Sequence, residues 1–218
     1  MRNKIGYFKG SFIKMKQIIT LLLSITLIFV LVCSKNKPTE PPQPTDPRDY
    51  YPLQKNYSWR YINLGGTECN AISDSFVLTI LGTNTRDTYT GFDRFRPDIN
   101  DTNFIYEKAD TLFLMKVGQG VPHLKILVGP IKENTSWSDE NFDYLIQGFE
   151  NVTLTINGVT YRRCARIIKT NRNPTKPNIV YEWWVPSYGK VKEMEEEPSG
   201  ACVRAEELRA FSTSVVFP

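Results

Sequence analysis

The sequence predicts a mainly β domain with little helix: an antiparallel meander of two divergent copies that form one sandwich, half-barrel or barrel-like unit. Three observations predict it. From Tyr50 onward the chain is rich in Tyr, Trp, Phe, Thr, Val and Ile, residue types that favour strands. Stretches of alternating apolar and polar residues are separated by Gly, Pro and Asn, which is the pattern of strands and turns. A motif near the start of this region also returns 78 residues later.

The first 32 residues have the pattern of an export signal. They contain five basic residues and no acidic residue, and the run Ile18–Val32 carries no charge. A basic segment before an apolar segment is typical of secretory signal peptides. The uncharged run has 15 residues, whereas a membrane-spanning helix needs roughly 20. We therefore expect a signal peptide over residues 1–32, with an uncleaved signal anchor as the alternative.

The segment Val30-Leu31-Val32-Cys33 resembles the bacterial lipobox, whose cysteine is lipidated. Val32 departs from that pattern, because the residue before the cysteine is usually small. The resemblance implies that Cys33 is lipidated and holds the protein at a membrane. Residues 34–49 include five prolines among polar residues, a composition typical of an extended spacer. We expect a tether over residues 33–49 and a β domain over residues 50–218.

The charge of the exported part is nearly balanced. The chain has 27 Lys and Arg against 23 Asp and Glu, and five of the basic residues lie in the export signal. That leaves 22 basic and 23 acidic residues, a net charge of −1. Nucleic-acid binding needs a basic patch, so we expect no nucleic-acid partner.

An internal repeat divides the domain. Pro52–Trp59 recurs as Pro130–Trp137, with identical Pro, Asn, Ser and Trp at equal spacing. Leu78–Gly82 matches Leu154–Gly158 in the same order. The copies would cover residues 52–128 and 130–211. Units of this kind usually bury their apolar faces together or continue one sheet, which favours one joint domain.

Alternation and turn residues place the strands of both copies. The first copy has a long polar loop at Asp87–Asn103. The second has mild helical character at Asp139–Phe149, with an irregular crossover as the alternative. Asn157-Gly158 predicts a hairpin with a type I′ turn. The strands are expected at Tyr57–Asn63, Ser75–Leu81, Phe104–Glu107, Thr111–Lys116, Leu124–Val128, Val152–Ile156, Val159–Lys169, Ile179–Val185, Lys190–Glu195 and Cys202–Phe211.

Four segments of the sequence carry a resemblance to a known group of proteins: the two Pro-to-Trp motifs (Pro52–Trp59 and Pro130–Trp137), the strand Gly158-x-x-Tyr161-x-x-Cys164 and the segment Glu182–Lys192. In these segments the sequence resembles uncharacterised bacterial envelope lipoproteins. Members of that group share phrases of the form "PLkvGnsW" and "yWyaPgvGlVk". The resemblance covers nearly all of residues 50–212. It implies a β-rich fold and an envelope location, and it transfers no active site.

Aromatic residues are the first candidates for a binding role. Trp59 and Trp137 begin strands after proline-containing turns, and we expect both to fill the core. Trp183 and Trp184 are adjacent, and successive strand side chains face opposite sides of a sheet. One should therefore be buried, and the other is a candidate for stacking on a ligand.

The polar candidates give no catalytic or metal site. His123 has no partner for acid–base chemistry that the sequence identifies, and four scattered potential ligands do not form a zinc site. We expect no cofactor, no metal and no enzymatic activity. We interpret one further polar group as a solvated loop: Asp98, Asn100, Asp101 and Asn103. We interpret an acidic run as an exposed hairpin end: Glu193, Glu195, Glu196 and Glu197.

Three cysteines remain once Cys33 is lipidated, and an oxidising compartment favours one disulfide. Three pairings are open. Cys164 lies inside a strand, where a reduced cysteine behaves as a small apolar residue. Cys69 and Cys202 both flank glycine-containing connections, which favours Cys69–Cys202 over Cys164–Cys202.

These features predict a non-enzymatic lipoprotein of the cell envelope, anchored by lipid and facing the periplasm or the exterior. Its tethered domain would be a binding or assembly module for a protein or an apolar ligand. The alternative is a periplasmic carrier of lipid or another apolar ligand, which would need an apolar cavity of several hundred cubic ångströms.

Overall fold

The structure, a computed structural model, describes residues 42–66, 68–118, 123–175 and 178–213. The predicted signal peptide and Cys33 lie outside the described residues, as does most of the predicted tether. The chain divides into two compact units, Met1–Gln43 and Pro44–Pro218. The description that follows concerns the second unit.

The domain is mainly β, with 63% strand and 4% helix. This confirms the predicted fold class. A short helix, α1, spans Pro47–Tyr50, and a 3₁₀ turn spans Pro97–Ile99. The strands are β1 Ser58–Gly65, β2 Ala71–Arg86, β3 Tyr89–Arg96, β4 Asp101–Lys108, β5 Thr111–Lys116, β6 Leu124–Val128, β7 Ser136–Ser138, β8 Phe142–Thr153, β9 Thr160–Asn171, β10 Ile179–Val185, β11 Gly189–Glu196 and β12 Cys202–Ser212.

All twelve strands belong to one antiparallel sheet that is nearly closed and barrel-like. Its order is β6-β5-β4-β3-β2-β1-β12-β11-β10-β9-β8-β7. Consecutive strands therefore pair with each other, except β6 with β7, and the first strand also pairs with the last. The edges β6 and β7 are consecutive in the chain. Strands β1–β6 lie in the first predicted copy and strands β7–β12 in the second.

The two Pro-to-Trp motifs adopt the same turn. Asn56 has φ 70° and donates its backbone N–H to the carbonyl of Ile80, while Asn134 has φ 66° and donates to the carbonyl of Ile146, each at 2.8 Å. Asparagine tolerates this left-handed conformation better than most residues. The second predicted pair of matching segments, Leu78–Gly82 and Leu154–Gly158, is not structurally equivalent. Leu78–Gly82 lies within β2, whereas Leu154–Gly158 belongs to the β8–β9 connection. Duplication of the whole unit stays a prediction.

Part of the sheet interior is a packed core. Trp59, Ile80, Ile105 and Leu127 are fully buried there, as part of a cluster that also includes Trp137. Both tryptophans therefore pack in the core as expected. Burial of an aromatic or branched side chain of this kind contributes roughly 1.5–3 kcal/mol.

The chain before β1 also belongs to this core. Tyr50 is fully buried, and the Ile131 N–H donates to the carbonyl of Thr45 at 2.7 Å. Asp46 caps α1 by accepting the N–H of Arg48 at 2.9 Å. The compact unit thus begins at Pro44, ahead of the predicted boundary at Tyr50.

Three local predictions are wrong. The loop predicted at Asp87–Asn103 contains β3 and the start of β4. The segment Asp139–Phe149 is not helical but leads into β8, where Tyr144 and Ile146 are buried and Leu145 between them is exposed, a period of two. The β8–β9 hairpin forms, but only Gly158 of its predicted turn pair has positive φ, so the turn is not type I′.

The disulfide Cys69–Cys202 is present, with Cα atoms 5.8 Å apart, which confirms the favoured pairing. It joins the β1–β2 connection to the first residue of β12, beside a small cluster of buried residues that includes Ile62, Leu64 and Ala205. Cys164 is buried and free, and burial raises the pKa of its thiol to about 11. The bond therefore lies where the first and last strands meet.

Candidate functional site

The sheet interior also holds a cavity of about 370 Å³, which borders the packed core. Facing side chains from most of the strands line it, because alternate residues of each strand point inward. The strand registers set Tyr61 opposite Phe76, Arg94 opposite Asn103, and Glu182 opposite Glu193. The cavity reaches the surface at a rim that includes the exposed residues Ile99 and Lys116.

Aromatic rings form one part of the cavity wall, which we call the aromatic floor: Tyr51, Tyr61, Phe76 and Trp184. The Tyr61 and Phe76 rings stack with centroids 5.2 Å apart, and Tyr51 meets Trp184 edge-on at 5.6 Å. Burial raises the pKa of Tyr61, and its hydroxyl donates to the carbonyl of Lys190 at 2.7 Å. The floor is therefore apolar and rigid.

Ion pairs form another part of the wall, in contact with the aromatic floor. Lys169 Nζ lies 2.9 Å from Glu182 Oε1, and the other oxygen of Glu182 accepts the Trp184 indole N–H at 2.9 Å. Lys190 Nζ lies 2.5 Å from Glu193 and 3.5 Å from Glu206. Behind these carboxylates, Arg204 pairs with Glu193, Glu195 and Glu206 at 2.9–3.1 Å.

The pKa values of these groups fix their charge. Burial alone would raise the pKa of Glu193, but the positive charges of Lys190, Lys169 and Arg204 outweigh it and lower the pKa to about 2. Burial alone would lower the pKa of Lys190, but the surrounding glutamates raise it well above its usual value. The pKa of Lys169 is raised in the same way. All three stay ionised near neutral pH.

Two polar atoms of the cavity wall are buried without a hydrogen-bond partner among the described residues: Arg94 Nε and Asn103 Oδ1. Arg94 uses Nη1 to donate to the Tyr51 hydroxyl at 2.9 Å. Asn103 uses its amide nitrogen to donate to Asp101 Oδ2 at 2.8 Å. Unpaired buried polar atoms are uncommon in native proteins, and each needs an explanation.

The structure places Trp183 and Trp184 on opposite faces of the sheet, but neither is exposed. Trp183 is 6% exposed and lies outside the cavity, where its indole N–H donates to Glu150 at 2.6 Å and Arg166 covers its ring. Trp184 is 4% exposed and belongs to the aromatic floor. Of the two candidates for ligand stacking, only Trp184 reaches the cavity.

His123, Asp98 and Asn103 each contact a different neighbouring residue. His123 contacts the Tyr106 hydroxyl through Nδ1. Asp98 pairs with Arg96 at 2.9 Å. Asp101 and Asn103 belong to β4 and line the cavity, and Asn103 is buried, so the prediction of a solvated loop is wrong for these two residues. Within the ranges that the structure describes, no cluster of His, Cys, Asp or Glu could hold a metal ion. No helix among the described residues is both long and apolar enough to cross a membrane.

The prediction that Glu193 lies on an exposed hairpin end is wrong. Its side chain is 10% exposed and faces the cavity. A β-bulge explains the error: Trp184 pairs with Lys190 and Trp183 pairs with Lys192, so Val191 is an extra residue. Simple alternation would place Lys190 and Glu193 on opposite faces, and sequence reasoning therefore missed this pair.

No protein-family model matches the chain, and no curated protein matches it at a significant level. Among solved structures, the crystal structure of a proposed lipoprotein from Parabacteroides distasonis is similar, with 12% identity and a TM-score of 0.44. That match covers 78% of this chain and 100% of the other. A likeness at this level leaves family and function to be argued from the residues of this chain.

Proposed function

We propose that this chain is a cell-envelope lipoprotein, anchored through Cys33, whose tethered β domain binds a small polar ligand in the cavity and catalyses no reaction. The observation that carries the binding role is the cavity itself, which has a volume of about 370 Å³ and is lined by the aromatic floor and by ion-paired charges. Ligand pockets typically have volumes of about 300–1,000 Å³ and a few placed polar groups.

The charge states of the wall support binding rather than catalysis. A general acid or base works best when its pKa lies near the operating pH. Lysine pairing moves the pKa of Glu193 down to about 2, and the glutamates move the pKa of Lys190 upward. Both groups are thus moved away from the range in which they would exchange protons near pH 7.

The same charges disfavour the carrier of lipid or another apolar ligand. An acyl chain placed against Lys169, Glu182, Lys190 and Glu193 would remove water from ionised groups without offering them a hydrogen bond, which costs free energy. The apolar part of the wall suits only part of a ligand. Binding of a protein partner to the outer surface of the sheet is compatible with these charges and is a second proposed role of the tethered domain.

The disulfide and the amino-terminal sequence support an extracytoplasmic location. Disulfides persist in oxidising compartments and are rare in the cytosol. The basic segment and the uncharged run before Cys33 are typical of export. We propose that lipid on Cys33 holds the domain at the membrane, facing the periplasm or the exterior.

The anchor is tested by metabolic labelling. Cells given alkyne-tagged palmitate should incorporate label into the mature protein, and Cys33→Ala should abolish that incorporation. Cys164→Ala is the matched control, because Cys164 is buried in the domain and should leave labelling unchanged. Equal labelling of the wild type and the Cys33→Ala variant would refute lipidation at Cys33.

The binding role is tested by ¹⁹F NMR of protein labelled with 5-fluorotryptophan. The chain has four tryptophans, and Trp183→Phe and Trp184→Phe assign the two adjacent ones. The ultrafiltered small-molecule fraction of the producing bacterium's envelope should shift the Trp184 resonance and leave Trp183, on the outer face, unmoved. If the Trp184 resonance does not shift with this fraction but shifts with a fatty acid, the lipid carrier is favoured. If it shifts with neither, the result contradicts a binding cavity.

A further inference from the structure

We propose that the ligand of this cavity is a small carboxylic acid with a hydrogen-bond donor next to its carboxylate, an α-amino acid or an α-hydroxy acid. The carboxylate pairs with Arg94, and the adjacent ammonium or hydroxyl donates to Asn103 Oδ1. This inference rests on the proposed binding role of the cavity and names the chemical class that the cavity takes.

Arg94 supplies the carboxylate-binding half. Its Nε is buried without a partner in the described part of the chain, and Nη1 is used by the uncharged Tyr51 hydroxyl. Arginine presents its N–H groups as a planar fork that matches the two oxygens of a carboxylate. Arg94 as a whole is half-buried and has no acidic partner in the described chain, so a ligand carboxylate at this position gains a charge-assisted pair.

The carboxylates of the cavity do not serve Arg94. Glu182 pairs with Lys169, and Glu193 and Glu206 both pair with Lys190 and Arg204. No ion pair joins Arg94 to an acidic residue among the residues that the structure describes. Asp101, which also lines the cavity, accepts from Asn103 and forms no ion pair with Arg94. A ligand carboxylate can therefore supply the anion that Arg94 lacks.

Asn103 supplies the donor-binding half. Asp101 accepts the amide nitrogen of Asn103 at 2.8 Å, so this contact fixes which way the amide points. The oxygen that remains, Oδ1, is buried, lacks a partner in the described chain and can only accept a hydrogen bond. A ligand that brought a carboxylate alone would leave this acceptor unsatisfied.

The spacing of the two halves favours adjacent groups on the ligand. Arg94 and Asn103 are directly opposed residues of the antiparallel pair β3–β4. Side chains in such a pair leave the sheet about 4.5–5.5 Å apart. An α-amino or α-hydroxy acid carries its donor on the carbon next to the carboxylate, so it can reach both without spanning the cavity.

The rest of the cavity suits an apolar or aromatic body. The aromatic floor and Arg94 line the same cavity. Tyr51 connects them, because its hydroxyl accepts a hydrogen bond from Arg94 and its ring contacts Trp184. At the rim, Lys116 and Lys125 add positive charge that attracts an acid. A compact acid with one ring fits this combination of groups.

Calorimetric titrations of the full mature domain with four probes that share a phenyl ring measure the contribution of the Arg94 contact and of the Asn103 contact separately. L-phenylalanine and L-3-phenyllactate carry both groups, 3-phenylpropanoate lacks the donor, and 2-phenylethylamine lacks the carboxylate. We expect 3-phenylpropanoate to bind at least about tenfold more weakly than the better of the first two, and 2-phenylethylamine to give no measurable binding. The better of the first two identifies the amino acid or the hydroxy acid as the source.

Variants assign each half to its residue. Arg94→Gln should weaken all three acids by roughly tenfold or more. Asn103→Leu should reduce the better acid to the level of 3-phenylpropanoate and leave 3-phenylpropanoate itself unchanged. Arg162→Lys, at an exposed position of β9, is the control for an arginine outside the cavity. Unfolding midpoints close to that of the wild type show that the variants are folded.

Equal affinity of the three acids, or acid binding that Arg94→Gln does not change, would overturn this assignment. Failure of every acid probe would overturn it too. In that case the Trp184 resonance separates the two claims: a response to the envelope fraction retains the binding cavity and rejects the ligand class, whereas no response rejects both.

Discussion

Lys190→Met is expected to lower the free energy of unfolding by about 3–5 kcal/mol at neutral pH, the range for removing one partner of a buried ion pair. Methionine keeps much of the volume, so the loss comes from charge. Without Lys190, Glu193 and Glu206 face each other in the wall, and Arg204 is the remaining residue that forms an ion pair with both. Urea-induced unfolding, monitored by tryptophan fluorescence, measures the change.

Two variants control for this prediction. Lys116→Met removes an exposed rim lysine without an ion pair among the described residues, and it should change stability by less than about 0.5 kcal/mol. Lys190→Met combined with Glu193→Met removes both charges and should recover part of the loss, because an apolar pair can replace a buried ion pair. Equal effects of Lys190→Met and Lys116→Met would contradict the buried charge network.

The pair also sets the response to acid. The folded-state pKa of Glu193 is about 2, below its usual 4.5, so its stabilising contribution is fully present above about pH 4.5 and is lost as the pH falls towards 2. In Lys190→Met the pKa of Glu193 should rise, because a main source of its lowering is gone. The difference in the free energy of unfolding between wild type and variant should therefore shrink as the pH falls from about 5 to about 3.

Reduction of Cys69–Cys202 is expected to lower the free energy of unfolding by roughly 4–5 kcal/mol on the chain-entropy model. The bond joins residues 133 apart in the sequence, so it closes a long loop in the unfolded chain. It also lies beside the β1–β12 pairing that closes the sheet. Unfolding curves with and without reductant measure the effect.

A double variant with serine at positions 69 and 202 should match the reduced wild type and should not respond to reductant. Cys164→Ala should keep the full response, since Cys164 is outside the bond. Mass spectrometry that finds Cys69 and Cys202 as free thiols in exported protein would rule out the disulfide in the mature protein.

The fold was predictable because its signals are local. The strands Thr111–Lys116, Leu124–Val128 and Ile179–Val185 end where alternation and turn residues indicate. Strand β3 was missed because Tyr89–Arg96 contains charged residues that point into the cavity or pair with neighbours, as Asp93 does with Arg86. A strand that faces a charged interior lacks the apolar alternation on which the prediction depends.

The cavity was not predictable for a related reason. Lys169, Glu182 and Lys190 lie on three strands, and only the sheet register brings their charges together. The bulge at Val191 then reverses the direction that alternation predicts for Glu193. Of the residues chosen from the sequence for a binding role, Trp184 alone lines the cavity, because adjacent strand residues must face opposite sides.

The central claim is that Arg94 and Asn103 receive a ligand in this cavity. The most direct measurement is a ¹H–¹⁵N spectrum of the arginine Nε–H groups, with the Arg94 signal assigned by Arg94→Lys, recorded during titration with L-3-phenyllactate and L-phenylalanine. The account predicts that at least one of these acids moves the Arg94 Nε–H resonance to a saturable end point. An Arg94 signal that stays in place with both acids, while resonances elsewhere in the protein move, would contradict it.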